Sequence, residues 1–276
     1  MTLMEFWERD REHFDAVLLD LDGTLLLGSQ PLPGAVAWLR RLREERVALF
    51  FLTNNCSDVP EQIALRLTRA GIPADSSEIV CATAPLLREL ERRNWRELHF
   101  FVIGTPAFAE RNGLRFQTDP ERIGACDGIL FLGGIHDWRV DFQAAFNELL
   151  RRPELPVVIP NPDIFNPLPG GKISFCPFGQ FDLVVHHLER RGIRIAPLHT
   201  GKPFPAIYDE VMTMLPGISR ERVLAVGDSL SSDVEGANRA GMVSALLLTG
   251  LTAPEEAAAA SGLRRPSRLF SAIGKA

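Results

Sequence analysis

Short, continuous apolar runs punctuate the chain, and the stretches between them carry apolar residues at helical spacing. Ala16-Val17-Leu18-Leu19 leads into the acidic string Asp20-Leu21-Asp22-Gly23-Thr24. A run without polar alternation predicts a strand buried on both faces, as in a parallel sheet. Ala35, Trp38, Leu39 and Leu42 recur at i, i+3, i+4 and i+7, which predicts a helix from near Gly34 to Glu45. The run Val47 to Leu52 predicts a second buried strand, ending at Thr53-Asn54-Asn55. Pro60 opens a helix carrying Ile63, Leu67 and Ala70, and Gly71 stops it. Strand, helix, strand, helix in succession predicts an α/β fold on a parallel sheet.

The middle repeats the theme, with strands expected at Phe100 to Ile103, Gly128 to Leu132 and Pro156 to Ile159. Phe142, Ala145, Phe146 and Leu149 mark one helix; Phe181, Val184, Val185 and Leu188 mark another. Pro160 to Gly171 is rich in Pro, Gly and Asn and reads as a long, shaped loop. The last third resumes with a helix on Ile207, Val211 and Leu215. A strand at Val223 to Val226, the turn Gly227-Asp228-Ser229, a helix ending near Gly241 and a strand at Ser244 to Leu248 follow. The tail from Thr252 onward is Ala-rich with basic residues and carries little pattern.

Composition narrows the function classes. At 276 residues the chain is long enough for one large domain or two of moderate size. Hydrophobic residues make up 46% and charged residues 24%, which excludes a disordered chain. The net charge of −5 argues against a nucleic-acid partner. No apolar run approaches the roughly 18 residues of a membrane span, so no membrane partner is expected. The acidic, aromatic start lacks the basic region and apolar stretch of a secretory signal. Cys56, Cys81, Cys126 and Cys176 form no C-x-x-C pair, which fits a reduced, cytoplasmic setting without a zinc or redox motif.

The chemistry concentrates at the first strand end. Residues i and i+2 of a strand share a side, so Asp20 and Asp22 are expected together at the carboxyl end, where open α/β sheets place ligands. Two adjacent carboxylates repel unless a proton or cation lies between them, and oxygen ligands suit Mg²⁺. As a bare turn, Asp22-Gly23 needs no ligand; the string Leu-Asp-Leu-Asp-Gly-Thr-Leu behind an apolar strand favours the cation. His186 and His187 are adjacent on one expected helix and so point apart. The glycines spell neither a dinucleotide fingerprint nor a P-loop.

With these motifs in order, the chain resembles the haloacid dehalogenase superfamily. D-x-D-G-T-L at Asp20 is similar to its first motif, and Leu52-Thr53-Asn54-Asn55 to its second. Gly201-Lys202-Pro203 is similar to the third, and Gly227-Asp228 through Asp233 to the fourth. Pro33-Gly34-Ala35, Asn161-Pro162-Asp163 and the large segment between the second and third motifs resemble class IIA. This is the NagD-like branch, which includes nitrophenylphosphatase, phosphoglycolate phosphatase and pyridoxal-phosphate phosphatase types. The resemblance implies a Rossmann-like parallel-sheet core from 1–79 and 198–276. It also implies an α/β cap domain at 80–197, of the second of the superfamily's cap types, inserted between the second and third motifs. The family usually has small residues after the cap loop; here the stretch is Phe175-Cys176-Pro177-Phe178-Gly179-Gln180-Phe181.

The same resemblance implies roles. Asp20 would attack phosphorus to form an aspartyl-phosphate, and Asp22 would be the general acid and then the base. Thr53, Asn54 and Lys202 would bind the phosphoryl group. Asp20, the Asp22 backbone carbonyl, Asp228 and Asp233 would hold Mg²⁺, Asp233 directly or through a water. Asn161 and Asp163 are the cap residues expected to face the substrate. The expected activity is a Mg²⁺-dependent phosphatase acting on a small phosphorylated metabolite, with two copies pairing as a homodimer. A phosphomutase or phosphotransferase on the same core, and a low-activity ligand-binding regulatory module, are the alternative readings.

Overall fold

The computed structural model describes residues 1–274. Its α-helices are α1 (Leu3–Asp10), α2 (Ala35–Glu44), α3 (Pro60–Arg69), α4 (Leu86–Arg92), α5 (Ala107–Arg111), α6 (Trp138–Arg151), α7 (Pro177–Glu189), α8 (Pro205–Thr213), α9 (Glu235–Arg239) and α10 (Pro254–Ala259). Its strands are β1 (Ala16–Leu19), β2 (Leu26–Leu27), β3 (Gln30–Pro31), β4 (Ala48–Thr53), β5 (Ile79–Cys81), β6 (His99–Gly104), β7 (Arg115–Gln117), β8 (Gly128–Gly133), β9 (Val157–Val158), β10 (Phe165–Leu168), β11 (Lys172–Phe175), β12 (Val223–Gly227), β13 (Val243–Leu247) and β14 (Arg268–Phe270).

Six strands form one parallel sheet in the order β14-β13-β12-β1-β4-β5. β1 lies in its middle and all four of its residues are buried, because none carries a polar side chain that burial would strip of water. Its alternate residues feed opposite faces. Val17 and Leu19 pack with Leu49, Phe51 and Leu224 under α1, α2 and α3. Ala16 and Leu18 pack with Val223, Ala225 and the α8 residues Ile207 and Val211. From β1 the chain winds outward through β4 and β5, then returns on the other side as β12, β13 and β14. The strand order therefore reverses at β1, and the crevice beyond its carboxyl end is where such sheets take ligands.

Between β5 and α8 lies an insertion with its own parallel sheet, ordered β7-β6-β8-β9. Phe142, Ala145 and Leu149 of α6 and Phe181 and Val184 of α7 cover one face. Leu86 and Leu90 of α4 cover the other. The two connections run side by side. Thr200 Oγ1 donates to the Ala82 carbonyl at 2.5 Å, and Leu198 N donates to the Val157 carbonyl at 2.8 Å.

Two features depart from the sequence expectations, and two more fall where the sequence carried none. Residue 80, the expected start of the insertion, falls within β5, whose Val80 and Cys81 pair with Leu52 and Thr53 in the larger sheet. A three-residue strand is too short to stand out in an apolar pattern. The expected loop from Pro160 to Gly171 contains β10, which pairs antiparallel with β11 from Phe165↔Phe175 to Leu168↔Lys172. Its prolines and glycines hide a two-stranded hairpin, where Pro removes no central ladder bond. The tail adds β14 to the sheet edge and the short helix α10. The N-terminus forms α1, closed by a Thr2–Glu5 capping box.

Burial explains α1. Leu3, Phe6 and Trp7 lie on one face and are buried in the core, and Trp7 Nε1 donates to Glu45 Oε2 at 2.8 Å. Its first turn is tied to the tail by Leu3 N to the Ala272 carbonyl and Met4 N to the Ile273 carbonyl. Trp7→Ala should therefore cost about 3–5 kcal/mol of stability, as for other large-to-small core changes. Trp7→Phe should cost clearly less, since the ring still fills the site. Denaturant unfolding of the two variants beside wild type checks the ranking.

Candidate active site

The chemistry-bearing residues reach one cavity from five segments. Asp20 follows β1, and its N–H continues the ladder to the Val226 carbonyl at 2.9 Å. Thr53 ends β4, and Asp228 follows β12. Lys202 comes from the loop before α8, and Asn161 and Asp163 come from the insertion. All six, with Asp22, Asn54 and Asp233, line a cavity of about 250 Å³ at the switch point.

Lys202 is the centre of its electrostatics. The residue is 2% exposed, and its Nζ donates to Asp20 Oδ1 at 2.6 Å and Asp233 Oδ1 at 2.7 Å. Burial works against the ammonium, but the Asp20 and Asp233 carboxylates outweigh it and hold the pKa well above the usual value. Asp233 Oδ2 accepts the N–H groups of Asp228 and Ser229 at 3.2 and 3.1 Å, so this carboxylate also pins the strand-end turn. Burial pushes Asp233 up to about 7, against the pull of Lys202. Asp228 is raised well above the carboxylate range by burial, then by Asp20 and Asp233. Its Oδ2 accepts Leu251 N at 2.6 Å.

Oxygens of Asp20, Asp228 and Asp233 lie within 4.8 Å of one another. Asp20 Oδ2 is buried without a hydrogen-bond partner. One ammonium thus faces three carboxylates, and an all-oxygen donor set with an orphaned lone pair fits a hard divalent cation.

The side chain of Asp22 does not share this cluster, contrary to the simple strand expectation. It pairs instead with Arg66 of α3, whose Nη2 donates to Asp22 Oδ2 at 3.1 Å. β1 stops at Leu19, so Asp20 and Asp22 both lie beyond it, where strand alternation no longer holds, and the chain turns at Gly23 with φ of +90°. Gly23 is required there, because a side chain would run into the Asp228 carboxylate and come within 3.0 Å of Pro167 Cγ. Burial raises the Asp22 pKa, Arg66 lowers it, and the net effect is upward.

Thr53 Oγ1 accepts Asn55 N at 3.2 Å, which leaves its O–H to donate. Asn54, expected as a phosphate donor, has another occupation. Its Nδ2 donates to the Lys202 carbonyl at 2.9 Å and to Ser232 Oγ at 3.2 Å, and its Oδ1 accepts Lys202 N at 2.7 Å. Both amide hydrogens are used, so this side chain staples three segments together. Asn161 Oδ1 caps its own turn by accepting Asp163 N at 2.8 Å. Asp163 brings a further carboxyl towards Lys202; burial pushes it up to about 6 although Lys202 pulls it down.

Arg66 and Ser232 were not singled out from the sequence. Arg66 adjoins the apolar stripe of Ile63 and Leu67, the only local sign that its charge faces inward. The β10–β11 hairpin closes over the site, with Phe165 and Phe175 packed at 5.5 Å between ring centroids.

Comparison with known proteins places this geometry. A model of haloacid dehalogenase-like hydrolases matches residues 17–112, and a HAD-hydrolase-like model matches 199–276. The D-glycerol 3-phosphate phosphatase of Mycobacterium tuberculosis is 31% identical over 93% of this chain and 69% of its own. Human chronophin is 32% identical over 88% of this chain and 84% of its own. The crystal structure of the M. tuberculosis glycerol phosphate phosphatase with magnesium superposes with a TM-score of 0.78. It is 28% identical and covers 94% of this chain and 75% of that one.

Asn54→Ala strands the buried N–H and carbonyl of Lys202, so it should lower stability by about 2–3 kcal/mol, read by denaturant unfolding. The carboxylates carry an expectation about pH. Asp228 and Asp233 are both raised above an unfolded value of about 3.9. Their contribution to stability without a cation is present at low pH and is lost as pH rises towards about 7. A cation binds the deprotonated pair. The rise in Tm that Mg²⁺ produces over EDTA should therefore be larger at about pH 8 than at about pH 5.5, measured by thermal unfolding.

Proposed function

Because the chain belongs to the haloacid dehalogenase-like hydrolases, we propose that this cavity hydrolyses small phosphomonoesters through a phosphorylated Asp20. The observation that carries the reading is the convergence of Asp20, Asp228 and Asp233 on the single buried ammonium of Lys202. Carboxylates that only stabilised the fold would be matched in charge; here the imbalance leaves room for a cation and an anionic substrate.

In the first half-reaction an oxygen of Asp20 forms a bond to phosphorus as the bond to the leaving oxygen breaks. Asp22, whose pKa burial raises, gives a proton to that oxygen and releases an alcohol. In the second, Asp22 takes a proton from water as the water oxygen bonds to phosphorus. The Asp20–phosphorus bond breaks, and inorganic phosphate and a free carboxylate result. Lys202 neutralises charge on the phosphoryl oxygens through both steps, and the Thr53 hydroxyl donates to one of them. Arg66 holds the Asp22 side chain in place between its two proton transfers. Asp20, Asp228, Asp233 and the Asp22 backbone carbonyl would hold Mg²⁺, which when bound offsets the negative charge of carboxylates and phosphoryl group alike.

The M. tuberculosis relative is named for glycerol 3-phosphate, and a Bacillus subtilis relative, 27% identical, is named a 5'-nucleotidase. Their difference leaves the leaving group open while the phosphoryl chemistry stays common. Phosphate release from a panel of phosphomonoesters, with Mg²⁺ or EDTA, tests the reading. Asp20→Asn should abolish release, and Lys202→Ala should lower kcat by about 10²–10³-fold, the scale of a lost transition-state cation. Full activity in Asp20→Asn, or in EDTA, would show that the nucleophile or the cation is wrongly assigned.

A further inference from the structure

We propose that the alcohol portion of the substrate carries an apolar group, of ring or short-alkyl size, held in a cleft beside the catalytic cavity. The proposal rests on the phosphomonoesterase reading and adds what the leaving group is.

A second cavity, of about 640 Å³, opens next to the first and shares Gly134, Ser174, Phe175 and Gln180 with it. The two adjoin across those shared residues, with a sharp change of character. The inner part is lined by the carboxylates and Lys202. The outer part is lined by Ile135, Trp138, Phe142, Phe175 and Leu183, and none of its described lining residues is Lys, Arg, Asp or Glu. A ligand spanning both would be anionic at one end and apolar at the other.

Much of the apolar wall is left open to solvent. Ile135 is 98% exposed, Phe175 63%, Trp138 52% and Leu183 49%. Contiguous exposed apolar surface of this kind marks a binding site, and covering it returns roughly 25 cal/mol per Å². Two of the cleft's polar side chains are already engaged. His136 Nδ1 faces Asp141 Oδ2 at 3.1 Å and its Nε2 faces Gln180 Oε1 at 3.3 Å, while Gln180 Nε2 donates to the Phe175 carbonyl at 3.0 Å. They offer little to a polyhydroxylated leaving group. Gly134, at φ +87°, lines both spaces, and a side chain there would run into Thr105. Away from the cleft, Pro167 of the hairpin approaches Gly23 closely enough that a side chain there would touch it.

The test uses alkyl phosphates whose leaving alcohols differ little in reactivity: ethyl, hexyl and 2-phenylethyl phosphate, beside glycerol 3-phosphate. The expected kcat/KM for 2-phenylethyl phosphate exceeds that for ethyl phosphate by at least about ten-fold, the discrimination an apolar pocket commonly supplies. Trp138→Ala and Leu183→Ala should both lower that ratio. These side chains are half exposed, so the variants keep the fold, and thermal unfolding verifies it. Equal kcat/KM across the series, a preference for glycerol 3-phosphate, or a ratio unchanged in both variants overturns the proposal while leaving the phosphomonoesterase reading intact. Failure to hydrolyse any ester removes that reading, and the proposal with it. A stable dimer formed without ester and lost in Trp138→Ala would assign the cleft to a second copy and also overturn it.

Discussion

One buried ammonium surrounded by more negative charge than it can neutralise governs this molecule's architecture. Lys202 satisfies Asp20 and Asp233 directly, yet Asp228 lies within the same few ångströms and Asp163 approaches from the insertion. Burying unmatched charge is costly, so the surrounding structure must over-determine each side chain. The geometry does this with backbone donors. Asp233 is fixed by two N–H groups of its own turn, and Asp228 by the N–H of Leu251. The cavity is built for anions that need cations, and the packing around it offsets the strain of holding it ready.

The parallel sheet makes that concentration possible. β1, β4 and β12 end side by side, so the residues after them meet without any long side chain reaching across the fold. Asn54 then links the sheet to the Lys202 loop and to Ser232, through bonds that span 148 and 178 residues of sequence. A single amide thereby sets the distance between the cation and the strand ends. This is positional work, different in kind from contact with a substrate.

The strand ends were legible in the sequence because each apolar run stops abruptly at a polar residue: Leu19 before Asp20, Leu52 before Thr53, Gly227 before Asp228. Lys202, Asp233, Asn161 and Asp163 stood out through the family motifs they resemble, and the structure brings all of them to the cavity wall. Partnerships were not legible. That Asn54 faces Lys202, or that Arg66 of α3 pairs with Asp22, depends on contacts between segments with no local signature. The hairpin β10–β11 was hidden by its own prolines and glycines. β5 and β14 escaped notice because three residues cannot establish a period. The helix α1 escaped notice too, because its buried face of Leu3, Phe6 and Trp7 is too short for a clear helical stripe.

The chain returning from the insertion is tied at two levels. Thr200 bonds to Ala82 where the outgoing chain leaves β5, and Leu198 bonds to Val157 of β9 at the edge of the insertion's own sheet. The segment that carries Lys202 is thereby moored to both sheets at once, like a rope made fast on two quays, so the buried ammonium takes its position from the insertion as well as from the strands it serves.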